Sequence, residues 1–228
     1  MRPEEIREPL VRIGGPGDGG YLVPDLLHGI SACFSPGVDV TAGFEADLLS
    51  RGIPCYLADG SVSAAPFDHP DMHFTRKHLG PRGDAKTMRL EDWISAHPVS
   101  GDLILQMDIE GAEYSVLLDT PQTTLQRFRI IVIELHSLDL LCARAAFPLL
   151  NAALQKILAD CPVVHLHPNN IRPPLRCSGF EVSPIMEATL LRRDVVNSSS
   201  KTLNFPHPLD HPNVPSMTST VLHDCWWK

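Results

Sequence analysis

The chain has 228 residues, 43% hydrophobic and 20% charged, with a formal net charge of -8. That length and balance suit one soluble globular domain with a sizeable core. The acidic balance argues against a nucleic-acid partner, which wants a basic face to neutralise phosphates. No window approaches the roughly 18 uninterrupted apolar residues of a membrane span. The N-terminus, Met1-Arg2-Pro3-Glu4-Glu5-Ile6, has no apolar stretch of signal-peptide type, so the expected location is cytoplasmic. None of the six cysteines forms a CxxC pair, so zinc-site and redox spacing is absent. Cys33 and Cys55 lie in apolar runs and read as small core residues, and a cytosolic chain of this size needs no disulfide.

In chain order, the first strong strand is Ile30 to Phe34 and the second Pro54 to Ala58. Met72 to Thr75 is a weaker one, followed by Leu103 to Met107 and Ile130 to Leu135. Their continuous rather than alternating hydrophobicity predicts strands buried on both faces of a parallel sheet. Helical spacing separates them. Phe44 and Leu48 lie four apart, and Leu90, Trp93 and Ile94 fit an i, i+3, i+4 stripe, as do Tyr114, Leu117 and Leu118. Thr120-Pro121 predicts a cap with proline at the first helical position. Phe147, Leu150, Leu154, Ile157 and Leu158 make the longest stripe. Val163 to Leu166 and Ala188 to Leu191 follow, joined through a proline- and asparagine-rich loop that predicts an antiparallel pair at the sheet edge. The expected architecture is a single α/β domain over 1–228, with a core over about 12–195 and a Ser-, Pro- and His-rich surface extension over 196–228.

Ligands of an open α/β sheet bind beyond the carboxyl ends of its strands. The polar residues fall there. Ser35-Pro36-Gly37 follows the first strand, with Glu45 on the next helix. Gly37 would let backbone approach a ligand. Asp59-Gly60-Ser61 follows the second strand, and an acid there suits a ribose diol. Asp108, Glu110 and Glu113 follow the third strong strand, and Glu134 and His136 end the fourth. Each has a plainer reading: Gly37 and Asp59-Gly60 as turns, Glu110 and Glu113 as acids favoured in a first helical turn, His136 as a structural histidine. The glycines make neither GxGxxG after a strand nor a P-loop, which disfavours a nicotinamide enzyme or an NTPase.

The run Gln106-Met107-Asp108-Ile109-Glu110-Gly111-Ala112-Glu113 is the strongest of an ordered set of segments. The set includes Arg12-Ile13-Gly14, Asp18-Gly19-Gly20-Tyr21, Phe34-Ser35-Pro36-Gly37, Tyr56-Leu57-Ala58-Asp59-Gly60-Ser61, Ile131-Val132-Ile133-Glu134-Leu135-His136 and Phe205-Pro206-His207-Pro208-Leu209-Asp210. In this set the chain resembles the FkbM-type S-adenosylmethionine-dependent methyltransferases. The resemblance implies a Rossmann-like class I methyltransferase fold, with a mostly parallel seven-stranded sheet ending in an antiparallel hairpin. It also implies methyl transfer, usually to oxygen. The expected acceptor is a hydroxyl of a sugar, glycan or small natural product. A carboxylate acceptor and a non-catalytic S-adenosylmethionine-binding protein are the alternatives.

On that reading Gly37 approaches the methionine part of the cofactor, Glu45 binds its ammonium or positions the loop, and Asp59, with Gly60 and Ser61, takes the ribose. Asp18, Gly19, Gly20 and Tyr21 fold over the cofactor, and Asp108 lies at its methionine end. His136 is the expected general base, with Asp108 and Glu134 as catalytic partners. The same three residues, Asp108, Glu134 and His136, are the expected ligands if a divalent cation such as Mg or Mn is used. His167, Asn169 and Asn170 are expected to hydrogen-bond a polyhydroxylated acceptor.

Overall fold

The computed structural model describes residues 1–38, 40–177, 179–199 and 203–228. Seven strands form the central sheet: β1 (Ile30–Pro36), β2 (Cys55–Ala58), β3 (Met72–Thr75), β4 (Asp102–Met107), β5 (Phe128–Leu135), β6 (Val163–Pro168) and β7 (Met186–Leu191). Their spatial order is β6-β7-β5-β4-β1-β2-β3. The first five run parallel, while β7 is antiparallel to both β5 and β6. This is the α/β, mostly parallel seven-stranded architecture with a C-terminal antiparallel hairpin. β6 is the edge of that hairpin, and β7 is inserted between it and β5.

The continuous apolar runs have the cause expected of them. Leu103, Leu105, Ile131 and Ile133 point into one hydrophobic layer, and Ile104, Ile130 and Val132 into the other. The first layer is closed by α2 (Leu90–Ser95), α3 (Glu113–Asp119) and α5 (Phe147–Leu158). The second is closed by α1 (Gly43–Ser50) and by a hairpin of Leu10–Ile13 with Tyr21–Pro24. A further turn, α4 (Gln122–Leu125), begins after Pro121, which is the N-cap and not the first helical residue. Thr120 does not cap α4. Its hydroxyl donates back to the Val116 carbonyl at 2.7 Å, closing α3 instead.

Short pieces escaped the sequence reading. A two-residue pairing joins His78–Leu79 to Thr87–Met88, and a small hairpin joins Leu175–Cys177 to Phe180–Val182. Cys142 and Cys177 form a disulfide, with Cα atoms 6.1 Å apart, against the expectation of none. It ties the 3-10 segment Leu138–Cys142, after β5, to that hairpin. The C-terminal extension is also more than a surface appendage. Leu222 is buried in the core, Phe205, Trp226 and Trp227 pack against it, and Asn213 is buried among polar groups. Positions 200–202 of the extension lie outside the described residues. Among the described residues, no helix is long and apolar enough to cross a membrane.

Candidate functional site

A cavity of about 760 Å³ opens at the carboxyl ends of β1, β2 and β4. Its wall includes Asp18, Gly19, Tyr21, Gly37, Glu45, Asp59, Ser61 and Asp108, all expected cofactor contacts. Gly15, Thr41 to Phe44, His78, Leu79 and Gln106 join them, none of which was among the expected cofactor contacts. The loop carrying Asp18 is shaped by Arg12, whose guanidinium donates to the carbonyls of Gly15 and Gly17 at 2.9 Å each. The Gly14 N–H donates to Asp47 on α1 at 2.7 Å, fastening the same loop to the wall.

Three of the expected glycines are packed tightly against other parts of the protein. Gly37 has φ +86, and a Cβ there would sit 1.5 Å from the Asp108 carbonyl oxygen. The close approach its lack of side chain permits is to the backbone after β4, so it lines the cavity because the two strand ends cross there. Gly60 does not line the cavity. A Cβ on it would lie 2.4 Å from the His78 ring, so its bare backbone admits the imidazole that does line it. Gly20 likewise stands behind the wall, packed against the Gly15 carbonyl.

At the end of β2, Asp59 is buried, and its Oδ1 accepts from the Ser61 N–H at 2.7 Å and the Ser61 hydroxyl at 2.6 Å. Ser61 thereby fixes the direction in which the carboxylate faces the cavity. On α1, Glu45 is 2% exposed and contacts the Ser35 hydroxyl, which also lies 2.5 Å from Gln106 Oε1. Burial pushes the Glu45 carboxyl up from its ordinary value, against the Ser35 bond. One hydroxyl proton cannot serve both acceptors. A proton on Glu45 completes the chain, with Glu45 donating to Ser35 and Ser35 to Gln106.

The loop after β4 holds the chemistry of the opposite wall. Glu110 has φ 56 and Gly111 φ 104, so two successive residues sit in left-handed space beside the cavity. This bend lets Glu113, at the start of α3, fold back and accept from the N–H groups of Ile109 at 3.2 Å and Gly111 at 3.1 Å. The same Glu113 Oε1 lies 3.0 Å from His136 Nδ1. Glu113 is fully buried, and its charge is held by these three donors. His136 presents its other nitrogen forward. Nε2 is 3.4 Å from Glu110 Oε2 and 3.8 Å from Asp108 Oδ1, both residues of the cavity wall. Tyr114 holds His136 from behind, its hydroxyl donating to the His136 carbonyl at 2.8 Å. Burial alone would lower the His136 pKa, but the Glu113 hydrogen bond and the charges of Glu113, Asp108 and Glu110 outweigh it and raise it.

The three expected catalytic residues therefore meet only in part. Among the described residues, Asp108 and His136 group with Glu113, whereas Glu134 groups with Asp18 and Glu187. Asp108, Glu134 and His136 are not one ligand set. The strand register explains why. Glu134 on β5 stands directly opposite Glu187 on β7, and Glu187 stands opposite His167 on β6. Asp108 follows β4 and is hydrogen-bonded to Glu134. The result is a row across the sheet, buried at Glu187 and Glu134 and half-buried at its ends: His167, Glu187, Glu134, Asp108. Burial first, and then the neighbouring carboxylates, push Asp108 up to about 9 and Glu134 up to about 8. Burial pushes Glu187 up to about 7, against the opposing charges of His167 and Arg12.

The expected acceptor contacts separate in the same way. Asn170 is buried, and its side-chain amide donates to the Val214 carbonyl at 2.9 Å and accepts from the Val214 N–H at 2.9 Å. It anchors the C-terminal segment, so its amide is occupied inside the protein and not offered to an acceptor. Asn169 donates to Glu134 at 2.6 Å and accepts from the Ile171 N–H at 2.9 Å. His167 Nδ1 is 3.6 Å from Asp210, while its Nε2 is buried with no hydrogen-bond partner. Asp210 is held well below the ordinary aspartate value because its bonds to His165 and His167 overcome the cost of burial. Asp210, Asn213, Glu187 and Glu113 are the site residues that sequence reasoning missed. Glu113, by its place in the run from Gln106, and Asp210, at the end of the run Phe205-Pro206-His207-Pro208-Leu209-Asp210, carried a signal, and a helix-start role had seemed a sufficient account of Glu113.

The family model for the methyltransferase FkbM domain matches residues 63–144, a span that holds Asp108, Glu113, Glu134 and His136. No curated protein sequence matches the chain. Among solved structures, the chain is similar to the fibrillarin/Nop5p complex at 11% identity and a TM-score of 0.42, over 71% of this chain and 72% of that one. It is similar to the Methanococcus jannaschii fibrillarin pre-rRNA processing protein at 10% identity and a TM-score of 0.41, over 82% of this chain and 83% of that one. A 16S rRNA methyltransferase from Catenulisporales acidiphilia matches at 9% identity and a TM-score of 0.35, over 83% of this chain and 100% of that one. The matched stretch from 63 to 144 includes the Glu113–His136 pair and covers about a third of the chain.

Proposed function

We propose that the protein is an S-adenosylmethionine-dependent methyltransferase acting on a neutral hydroxyl, with His136 as general base and Glu113 as the residue that positions it. The observation that carries this reading is the Glu113–His136 pair, 3.0 Å apart, behind the wall of a cavity that is itself bounded by Asp59 and Gly37.

The cavity has the size of a small-molecule or cofactor site. Its donor set fits the proposed cofactor. Asp59, turned by Ser61 at the end of β2, suits a ribose diol, and Asp18 on the opposite wall suits an amino-acid moiety that carries an ammonium. When bound, S-adenosylmethionine supplies the electrophilic methyl group. The protein's own work is alignment and proton removal. Glu113 accepts the Nδ1–H of His136, which leaves Nε2 as the basic nitrogen toward Asp108 and Glu110. Nε2 then takes the hydroxyl proton, and the buried Glu113 carboxylate stabilises the imidazolium that results.

Asp108, Glu134 and Glu187 are pushed toward their neutral, proton-bearing forms, so this end of the sheet offers hydrogen-bond partners to a hydroxyl and no cation to a carboxylate. A sugar or small natural product with several hydroxyls suits the polar wall formed by Asp18, Asp108 and Glu110.

Transfer of labelled methyl from S-adenosylmethionine to a panel of polyhydroxylated and carboxylate acceptors tests this reading. The expected result is transfer to a hydroxyl that falls ~100- to 10,000-fold in kcat for His136→Gln, the range of a lost general base. Full activity of that variant would remove the base from the scheme.

A further inference from the structure

A chain of four side chains runs from α1 through the sheet to the cavity wall: Glu45 on α1, Ser35 on β1, Gln106 on β4 and Tyr21 on the N-terminal hairpin. Glu45 and Tyr21 are each 2% exposed, Gln106 is 5% exposed and Ser35 is fully buried. Polar groups buried this deeply have to satisfy one another.

The distances give each bond its direction. Ser35 Oγ lies 2.5 Å from the Gln106 amide. That separation belongs to O–H···O bonds and is too short for N–H···O, so the amide atom facing Ser35 is the oxygen. The amide nitrogen is thereby turned to the Tyr21 hydroxyl, 3.4 Å away, and donates to it. Ser35 gives its single proton to Gln106, so the proton of its contact with Glu45 Oε1 belongs to Glu45. Burial, which pushes the Glu45 carboxyl up, acts in the same sense.

Tyr21 ends the chain. Its oxygen accepts from Gln106, which leaves its own proton to be given, and among the described residues nothing takes it. Tyr21 lines the cavity together with Asp18 and Gly19, and among the described residues no lysine or arginine lines it. An amino-acid moiety bound there meets Asp18 with its ammonium, while its carboxylate has to be met by neutral donors.

We propose that protonated Glu45 is a positioning residue, acting through Ser35 and Gln106 to hold the Tyr21 hydroxyl as a donor to the carboxylate of the amino-acid moiety in the cavity. This deepens the S-adenosylmethionine reading and rests on it. A chain of the opposite polarity would have Tyr21 donating back to Gln106 and facing the carboxylate with lone pairs.

The test is calorimetric titration of the full chain with S-adenosylmethionine and with decarboxylated S-adenosylmethionine, which differ only in that carboxylate. The unmodified protein should prefer S-adenosylmethionine by at least ~10-fold, as a hydrogen bond to a charged group gives. Tyr21→Phe keeps the ring, removes the donor and should bring the two ligands within about twofold of each other. Gln106→Leu leaves the Tyr21 hydroxyl with nothing donating to it and should cut the preference at least ~3-fold. Glu45→Gln, whose amide donates to Ser35 as the protonated carboxyl does, should keep the full preference. If neither ligand binds the unmodified protein, the cofactor reading falls and this inference with it. If both bind equally well, or the preference survives Tyr21→Phe, the cofactor reading stands and the role of Tyr21 is overturned. A preference lost in Glu45→Gln as fully as in Tyr21→Phe would overturn the protonated, positioning role of Glu45.

Discussion

His136 owes its chemistry to a residue 23 positions earlier in the chain. Glu113 Oε1 receives two backbone N–H groups and the imidazole, so the carboxylate is charged and immobile where it is needed. The proposed base must be neutral to take a proton, and its pKa is raised. The rate, read as kcat/KM, should therefore climb with pH through an apparent pKa above the usual histidine value of 6.5. Glu113→Gln removes the largest interaction that raises it. The rising limb should move to lower pH while the plateau falls, and a limb that stays in place would show that Glu113 does not act through His136.

The strands were legible because each is a run of four to eight residues whose two faces are both buried, which leaves a hydrophobic mark that does not depend on partners. The pairings of His78–Leu79 with Thr87–Met88 and of Leu175–Cys177 with Phe180–Val182 are too short to show a period. Thr120-Pro121 misled because a hydroxyl next to a helix end has two carbonyl and N–H partners within reach, and here the preceding helix won. The row across β4, β5, β7 and β6 was invisible for another reason. Register brings Glu134 and Glu187 face to face, and nothing local to Glu187 announces it. That row carries a stability cost with a definite sign. Glu187 has a folded pKa raised above its unfolded value, so the native state binds the extra proton. Stability from this group is full below the ordinary glutamate value of 4.5 and is lost as pH rises through about 7. In chelator at pH 8, Glu187→Gln should be more stable than the unmodified protein by on the order of 2 kcal/mol, with the difference closing at pH 4. Denaturant unfolding at the two pH values measures it. An unchanged or lowered stability at pH 8 would contradict it.

At the scale of the whole molecule, the chain's two ends close the site. The glycine loop near residue 18 and the segment around Asp210 and Asn213 meet over the C-terminal half of the sheet. Composition marked the C-terminal segment as surface, because proline, serine and histidine dominate it and its few anchors are spaced too widely to form a stripe. Asp210 is one such anchor. Its folded pKa lies below the unfolded one, so its contribution is present above 3.8 and is lost as pH falls through the folded value. Asp210→Asn should cost on the order of 2 kcal/mol at neutral pH and progressively less in acid. A constant penalty across pH would mean that packing, and not the His165–Asp210–His167 charges, is what the variant lost.

The proposed chemistry needs S-adenosylmethionine in the cavity bounded by Gly37, Asp59 and Asp108. Calorimetric titration of the full chain with S-adenosylmethionine, beside NAD and beside Asp59→Ala, measures that directly. Saturable S-adenosylmethionine binding is expected, weakened ~10- to 100-fold by Asp59→Ala through the lost hydrogen bonds of a charged group, with no competing NAD isotherm. Tight NAD binding with no heat from S-adenosylmethionine would contradict it.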